Sequence, residues 1–323
     1  MRERDVPPDP AFVAARLARE RAKAAVLERV AATPSRHRRS PHHIVPRALA
    51  LAGLAARARR NALAVRLTRR QLALPALPDA LEGFRLLHVS DPHFGADAML
   101  DDAIVASVAG VAHDLCVMTG DYRYRSFGPI ETAIGNVARL REALGAGEGR
   151  DAPLAVLGNH DSIEMAPPME ALGIRVLLNE RATIRLDDAA LHVVGVDDPR
   201  HYRLDDLDRA LGTRLGTQDD RHADVGGDVS VTVLLAHSPE RADAAAAAGC
   251  DAYLCGHTHG GQICLPGGHA LVRNVRAPRA RLSGDWRVGA MRGYTSRGAG
   301  VSIAVARFGC PPEITLHELR RAR

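Results

Sequence analysis

Side chains that can bind metal ions follow five short β-rich runs of this sequence. They lie in the segments HVSDPHFG, MTGDYRY, VLGNHDS, LLAHSPE and CGHTHGG. If these runs are strands of an α/β sheet, their carboxyl ends open into a common crevice, so the five segments should meet at one site. The candidate ligands in them are Asp91, His93, Asp121, Asn159, His237, His257 and His259.

The donor atoms of this set indicate which ions it could hold. Carboxylate, imidazole and amide groups without a thiolate suit Mn, Fe, Zn or Ni rather than calcium. Seven ligands are too many for one tetrahedral ion, but two ions can share them if a carboxylate bridges, and Asp121 after Gly120 is the candidate bridge. Two ions roughly 3.5–4 Å apart can hold the attacking and leaving oxygens of a phosphoryl group, with a metal-activated hydroxide as nucleophile.

The spacing within the motifs predicts local backbone geometry. In DPH at 91–93 and HTH at 257–259, two ligands are separated by one residue. We expect extended backbone there, because an extended chain directs residues i and i+2 to the same side. Gly120, Gly158 and Gly256 precede ligands, where a missing Cβ permits a turn and a close backbone approach.

The elements that must position these motifs begin near residue 81. The β-rich runs are 84–90, 114–119, 152–157, 231–236 and 252–255, and the predicted helices are 98–112, 130–144 and 239–248. This alternation is typical of βα units around a buried sheet. Further strands are predicted at 176–178, 183–186, 191–196, 301–306 and 313–316. They exceed what one parallel sheet would use, so we expect two sheets packed together.

The first 70 residues differ in charge from the rest of the chain. They carry 17 Lys and Arg against 5 Asp and Glu, whereas residues 71–323 carry 26 against 33. Apolar periodicity predicts a helix over 9–32, a short amphipathic helix over 48–60 and a strand near 63–67. We therefore expect a basic helical extension over residues 1–73 and a main domain over residues 74–323.

Three explanations for this basic extension are open: a solvated or self-packed segment, a helix on an anionic membrane surface, or a nucleic-acid-binding arm. Arg alternates with Ala and Leu over 45–67, which favours an interfacial helix over nucleic-acid binding. An aromatic content of 3% also disfavours base stacking. The apolar run at 48–56 is too short to span a bilayer, and residues 1–33 lack the apolar stretch of a signal peptide.

The compartment follows from the same observations. Five cysteines without paired spacing fit a reducing environment better than a disulfide framework. We therefore expect a cytoplasmic protein, with the inner membrane face as its second location if the extension lies on lipid.

The ordered set Asp-x-His, Gly-Asp, Gly-Asn-His-Asp, a single His and Gly-His-x-His resembles the calcineurin-like metallophosphoesterases, from about residue 81 to the C-terminus. The resemblance implies a four-layer α/β/β/α sandwich of two mixed sheets with a dinuclear centre. It implies one ion held by Asp91, His93, Asp121 and His259, and a second held by Asp121, Asn159, His237 and His257. It also implies that His160 contacts the scissile phosphate and assists the leaving group, with Asp161 orienting His160.

A narrower resemblance rests on GHTHGGQI, GYTSRGAG and CPPEITLHEL. These segments are similar to the bacterial branch of YkuE-type and YaeI-type phosphodiesterases, some related members of which cleave a nucleotide-linked glycolipid. Three arginines, Arg123, Arg125 and Arg297, could hold a substrate phosphate because a guanidinium offers a planar fork of donors. Asp197 and Asp198 in GVDDP either shape the rim of the site or form a turn.

The predicted function is hydrolysis of a phosphodiester or pyrophosphate bond by a metal-dependent phosphoric ester hydrolase. Mn is favoured as the divalent ion, with Fe, Zn, Ni and Mg as alternatives. The expected partner is a nucleotide-linked or lipid phosphate ester, with an anionic membrane surface as a further partner and nucleic acid disfavoured. The alternative is a non-catalytic, membrane-associated adaptor that retains the fold, although loss of catalysis normally removes a ligand or the catalytic His.

Overall fold

Two six-stranded sheets lie at the centre of the structure, a computed structural model that describes residues 9–32, 41–145, 151–212, 229–270 and 275–322. The strands are β1 Arg66–Leu74, β2 Arg85–Val89, β3 Leu115–Met118, β4 Leu154–Ala155, β5 Arg175–Val176, β6 Glu180–Leu186, β7 Ala189–Gly195, β8 Val229–Leu235, β9 Ala252–Cys255, β10 Cys264–Leu265, β11 His269–Ala270, β12 Gly284–Val288, β13 Met291–Thr295 and β14 Glu313–Arg321. The first sheet has the order β1-β14-β2-β3-β4-β5 and the second the order β12-β13-β9-β8-β7-β6, while β10 and β11 form a separate antiparallel pair.

Both large sheets are mixed. In the first, β2 to β5 run parallel and β14 is antiparallel to β2. In the second, β7, β8, β9 and β13 run parallel, and β6 and β12 are antiparallel to their neighbours. The α-helices are α1 Pro10–Ala32, α2 Pro41–Leu51, α3 Ala55–Leu63, α4 Ala98–Val108, α5 Glu131–Ala143, α6 Ala166–Ala171, α7 Leu207–Leu211 and α8 Ala242–Ala247.

Helices cover the outer face of each sheet, and an apolar core fills the space between the sheets. Successive residues of a strand point to opposite faces. Leu86 therefore lies in the core between the sheets, whereas Leu87 packs with Leu100 and Val137 of α4 and α5. On the second sheet, Leu234 packs with the α8 side. This helix, sheet, sheet, helix layering confirms the predicted fold class.

The predicted strand at 301–306 is wrong. These residues form an irregular segment whose backbone groups bind the side chain of Gln262: Ser302 N–H donates to Oε1, and Gln262 Nε2 donates to the Ala304 carbonyl, both at 2.9 Å. Val301 and Val305 pack in one apolar cluster and Ala304 and Ala306 in another, so the alternation seen in the sequence is present although the segment is not a strand.

The strand pair β12 and β13 is not among the predicted elements. The two strands pair antiparallel around the turn formed by Gly289 and Ala290. Gly289 has a φ of 57°, which glycine adopts at little cost. Two short runs separated by two residues that include a glycine are a hairpin signal, and this signal could have found the pair.

The N-terminal residues are joined to the sheets more closely than the sequence indicates. The predicted boundary between residues 73 and 74 lies inside β1, which pairs in parallel with β14 along its whole length. The single helix predicted at 48–60 is two helices, α2 and α3, separated at Gly53, where φ is 68°. Ala58 of α3 is buried against the 304–308 segment.

None of the described helices is both long and apolar enough to cross a membrane.

Candidate metal centre

All seven predicted ligands meet at one edge of the two sheets. Asp91 and His93 follow β2, Asp121 follows β3, and Asn159 comes four residues after β4. His237 follows β8, and the 257–259 segment follows β9. The carboxyl ends of parallel strands open at the same edge, which is why residues far apart in sequence converge. Each of the seven side chains belongs to a residue that is at most 5% exposed.

The first ligand group comprises Asp91, His93 and His259. One potential donor atom from each residue lies within 4.8 Å of the others. The Nε2 atoms of His93 and His259 are 3.0 Å apart, and His259 Nε2 is 3.6 Å from Asp91 Oδ1. Two ring nitrogens that face each other next to a carboxylate oxygen are an arrangement that a shared cation stabilises.

The second ligand group comprises Asp121, His237 and His257, again within 4.8 Å. His237 Nε2 is 3.1 Å from both Asn159 Oδ1 and His257 Nδ1. Asp121 Oδ2 is 3.3 Å from His237 Nε2 and 3.4 Å from His93 Nε2. A single carboxylate oxygen thus reaches both groups, which is the position that a bridging ligand requires.

The protonation states of these groups fit divalent cations. Burial lowers the pKa of His93 to about 4 and that of His257 to about 3, so both imidazoles are neutral, as metal ligands must be. Burial raises the pKa of Asp91 to about 7. In His237 burial is outweighed by Asp121, which raises the pKa of His237 well above its usual value. The proton on His237 therefore supplies a positive charge beside the carboxylates, and a bound cation could supply that charge instead.

The backbone at these ligands is not extended, so the extended geometry expected for 91–93 and 257–259 is wrong. Non-glycine residues rarely adopt positive φ, and they persist there only where surrounding contacts hold them, often at functional sites. Five ligands have such angles: Asp91 at 50°, His93 at 46°, Asp121 at 57°, His257 at 69° and His259 at 49°. Tight turns, rather than strand alternation, direct these side chains to the centre.

A chain of hydrogen bonds supports Asp91 from inside the protein. The buried His88 lies with Nε2 2.8 Å from Thr119 Oγ1. The Thr119 hydroxyl donates to Ser90 Oγ at 2.7 Å, and Ser90 donates to Asp91 Oδ2. Since each hydroxyl has one proton, His88 is the donor at the far end of this chain. Both carboxylate oxygens of Asp91 also accept from the backbone N–H of His257, Oδ2 at 2.9 Å and Oδ1 at 3.1 Å.

His160 lies beside the two ligand groups. Its ring centroid is 4.7 Å from that of His93, and a ring nitrogen lies within 4.8 Å of donor atoms of His93 and Asp121. Its backbone N–H donates to Asp121 Oδ1 at 2.7 Å. Nδ1 is 2.7 Å from the Tyr124 carbonyl, so Nδ1 carries the proton and Nε2 is left for another contact.

The carboxylate of Asp161 was expected to orient the His160 ring, but it accepts hydrogen bonds from backbone groups instead. Its carboxylate accepts backbone N–H groups of Gly158 and Asp121 at 2.7 Å and of Tyr122 at 2.8 Å. The carbonyl of Tyr124, not this carboxylate, orients the His160 ring. Asp161 therefore ties together the two loops that carry Asp121 and Asn159.

Arg123 also has a different place from the phosphate contact that the sequence predicts. Its guanidinium is directed into the protein rather than toward an open anion site. It donates to the carbonyls of His160 at 2.6 Å, Ser126 at 2.9 Å and Gly128 at 3.0 Å. These bonds occupy both terminal nitrogens and Nε, so Arg123 holds the loop after β3 in shape.

Arg297 and Arg125, the other two arginines predicted to contact phosphate, differ in their surroundings. Arg297 donates to the buried carboxylate of Glu313 from Nε at 2.9 Å and from Nη2, which engages its charge within the protein. Arg125 is exposed, and its role in phosphate binding stays a prediction.

Arg307 is a site residue that sequence reasoning missed. It is fully buried, and its guanidinium lies against His259: Nη1 is 3.0 Å from the carbonyl oxygen and Nη2 is 3.1 Å from Nδ1. The same guanidinium donates to the carbonyls of Arg297 and Gly298. No motif surrounds Arg307 in the sequence, because its role comes from a loop contact 48 residues away from His259.

The Calcineurin-like phosphoesterase family model matches residues 84–261, the segment that contains all seven candidate ligands. The chain belongs to this family, and it is a phosphoric ester hydrolase of a family that uses divalent metal ions. Among its relatives is phosphodiesterase YaeI of Escherichia coli K12, 26% identical over 248 residues, which are 73% of this chain and 82% of YaeI. The metallophosphoesterase YkuE of Bacillus subtilis 168 is 26% identical over 258 residues, 76% of this chain and 82% of YkuE. The predicted family and enzyme class are confirmed.

Gly256 provides a first test of how tightly the centre is packed. A Cβ at this position would lie 1.9 Å from Ser90 Oγ and 2.1 Å from Asp91 Oδ2. We expect Gly256→Ala to lower the free energy of unfolding by about 1–3 kcal/mol, the usual cost of overpacking. It should also weaken Mn²⁺ binding, because Asp91 must move. Urea unfolding and calorimetric Mn²⁺ titration measure the two effects.

Gly135 is the matched control for this substitution. It is exposed within α5, and a Cβ there meets nothing within 4 Å. Gly135→Ala should raise the free energy of unfolding by up to about 1 kcal/mol, the difference in helix propensity. Equal stability and equal Mn²⁺ affinity in Gly256→Ala and the unaltered protein would contradict the packing described for Gly256.

Proposed function

We propose that this protein is a dinuclear enzyme that hydrolyses a phosphodiester or pyrophosphate bond. The observation that carries the proposal is the position of Asp121 Oδ2, 3.4 Å from a nitrogen of one ligand group and 3.3 Å from a nitrogen of the other. One carboxylate oxygen between two clusters of nitrogen and oxygen donors matches the requirement of a two-ion centre.

Each ion would have four protein ligands, with Asp121 shared. Asp91, His93, Asp121 and His259 would hold the first ion, and Asp121, Asn159, His237 and His257 the second. When bound, two such ions polarise phosphoryl oxygens and lower the pKa of a water molecule. Manganese is the proposed metal because the donors are oxygen and nitrogen without thiolate.

The protein's own groups would orient the substrate and move a proton. His237 Nδ1 is 2.8 Å from the Thr119 carbonyl, which leaves Nε2 free of that contact and would make it the ligand atom for the second ion. His160 Nε2 is the proposed contact to the scissile phosphate, since Tyr124 holds Nδ1. A phosphate anion beside it would favour the charged imidazolium, which can pass a proton to the leaving oxygen.

The proposed substrate is a nucleotide-linked or lipid phosphate ester at the inner face of the membrane. The relative named as a phosphodiesterase supports a diester. Exposed apolar side chains on and beside α2 support a surface location: Leu51 is 91% exposed and Ile44 is 50% exposed. The same helix carries Arg47, which can interact with anionic headgroups.

The test is reconstitution of the metal-free protein with Mn²⁺. We expect two metal ions per chain by elemental analysis, together with hydrolysis of bis(p-nitrophenyl) phosphate. A chain that binds two ions but hydrolyses neither this diester nor a pyrophosphate would contradict the proposed reaction. A chain that binds none would contradict the centre.

Anionic lipid vesicles added to the same preparation test the proposed location. The intact protein should sediment with the vesicles, and Leu51→Glu should stay in solution with its diesterase activity unchanged. Equal sedimentation of both proteins would contradict this location. An inert protein that nevertheless binds vesicles would support the non-catalytic adaptor instead.

A further inference from the structure

The N-terminal helix α1 contacts the loop that carries Asn159 and His160. Arg16, Glu20 and Lys23 are separated by four and three residues, so they lie on one face of the helix. That face is directed at residues 158–163, directly beside the second ligand group. The family match begins at residue 84, so α1 lies outside it.

Arg16 anchors the helix to the centre. It is fully buried, and its Nε lies 3.0 Å from the carboxylate of Asp197, which is also fully buried. Its Nη2 is 3.4 Å from the Asp161 carbonyl, and its guanidinium carbon lies 3.3 Å from the centre of the Tyr202 ring. A buried charge is tolerated only when it is paired, so these contacts fix the position of α1 relative to the loop.

Two side chains hold the same backbone atom of a proposed metal ligand. The Lys23 ammonium donates to the carbonyl oxygen of Asn159, and the Tyr202 hydroxyl donates to it at 3.1 Å. On the preceding turn of α1, the carboxylate of Glu20 accepts the N–H of Ile163 at 2.8 Å. The loop segment that includes Asn159 is therefore held by α1 along its length.

Asn159 depends on such support more than the charged ligands do. Its amide is neutral, so its attraction to a cation is weaker than that of a carboxylate. Its Oδ1 must point to within reach of His237 Nε2, 3.1 Å away. Groups that orient a ligand without touching the metal commonly change metal affinity by about 10–100-fold.

We propose that Lys23 and Tyr202 are positioning residues of the metal centre: by holding the Asn159 carbonyl, they direct the Asn159 amide oxygen to the second ion. Arg16 supplies the anchor that places Lys23 there. The inference rests on the two-ion centre proposed above. It makes α1, at the start of the chain, part of the enzyme's site rather than a solvated extension.

Lys23→Met tests the proposal, because Met keeps most of the aliphatic side chain and removes the ammonium. We expect the dissociation constant of the second Mn²⁺ to rise about tenfold and that of the first to stay unchanged. Calorimetric titration of the metal-free protein measures both. The control is Arg21→Met, an exposed position on the same helix, which should change neither constant.

Tyr202→Phe and the double variant show whether the two donors act through one atom. We expect Tyr202→Phe to weaken the second ion alone, and the effects of Lys23→Met and Tyr202→Phe to be non-additive, since they share the Asn159 carbonyl. The melting temperature of metal-free Lys23→Met should match that of Arg21→Met.

Three results would overturn the role of Lys23. They are a second dissociation constant within about twofold of the Arg21→Met value, equal weakening of both ions, and additive effects in the double variant. If the unaltered protein binds no Mn²⁺, the two-ion centre fails instead, so the two failures are distinguishable.

Discussion

Asp121→Asn should reduce the Mn²⁺-supported kcat for bis(p-nitrophenyl) phosphate by about 10³-fold or more, since shared cation binding contributes several kcal/mol to the reaction. The substitution preserves shape but removes the charge at the oxygen between His93 and His237. It also weakens the acceptor of the His160 backbone N–H. Elemental analysis should show fewer than two ions per chain.

The control for Asp121→Asn is Asp243→Asn. Asp243 is exposed, and its carboxylate pairs with Arg281 at 2.7 Å, so its loss should leave activity and metal content unchanged. If Asp121→Asn retains two ions and the full rate, Asp121 is not the bridge.

His160→Gln should lower kcat by about 10²–10⁴-fold for a diester with an alkyl leaving group, the range that general acid catalysis supplies. A p-nitrophenyl diester should lose much less, because its leaving oxygen needs little protonation. Metal content should stay at the level of the unaltered protein, since His160 is not among the proposed ligands. Kinetics with both substrates, over a range of pH, measure this difference.

His113 offers a matched control for His160. Its Nδ1 also lies close to a backbone carbonyl, 2.7 Å from that of Val111, but it precedes β3 and so lies at the opposite end of the strand from Asp121. His113→Gln should preserve both rates. An equal loss for the two substrates in His160→Gln would assign His160 to binding rather than to proton transfer.

The ligand motifs could be located from sequence because they stand at the ends of β-rich runs, which local patterns reveal. Each follows a short apolar run, and parallel strands open at one edge, so convergence of Asp91, Asp121 and His237 was predictable. The surplus of strands indicated two packed sheets, and the layer order followed from the resemblance to the calcineurin-like metallophosphoesterases. The strand at 301–306 failed because the side chain of Gln262, distant in sequence, satisfies its backbone groups.

The roles of the charged side chains could not be predicted in the same way. Arg123 and Arg297 have the chemistry of phosphate contacts, yet Arg123 donates to three loop carbonyls and Arg297 donates to Glu313. Arg307 and Lys23 carry no motif, although both contact residues of the centre. An arginine or lysine has the same local sequence whether its charge faces solvent, substrate or a carbonyl.

The order of amino acids specifies which donor atoms are available, where they occur along the chain and which strands deliver them to one edge. How the donors face one another depends on the folded chain. Positive φ at residues such as Asp91 and His257 is maintained by surrounding contacts rather than by local preference. The attachment of α1 to the Asn159 loop likewise depends on a buried pair, Arg16 and Asp197, separated by 181 residues. Such pairings are decided by packing and desolvation across the whole fold, which no local pattern encodes.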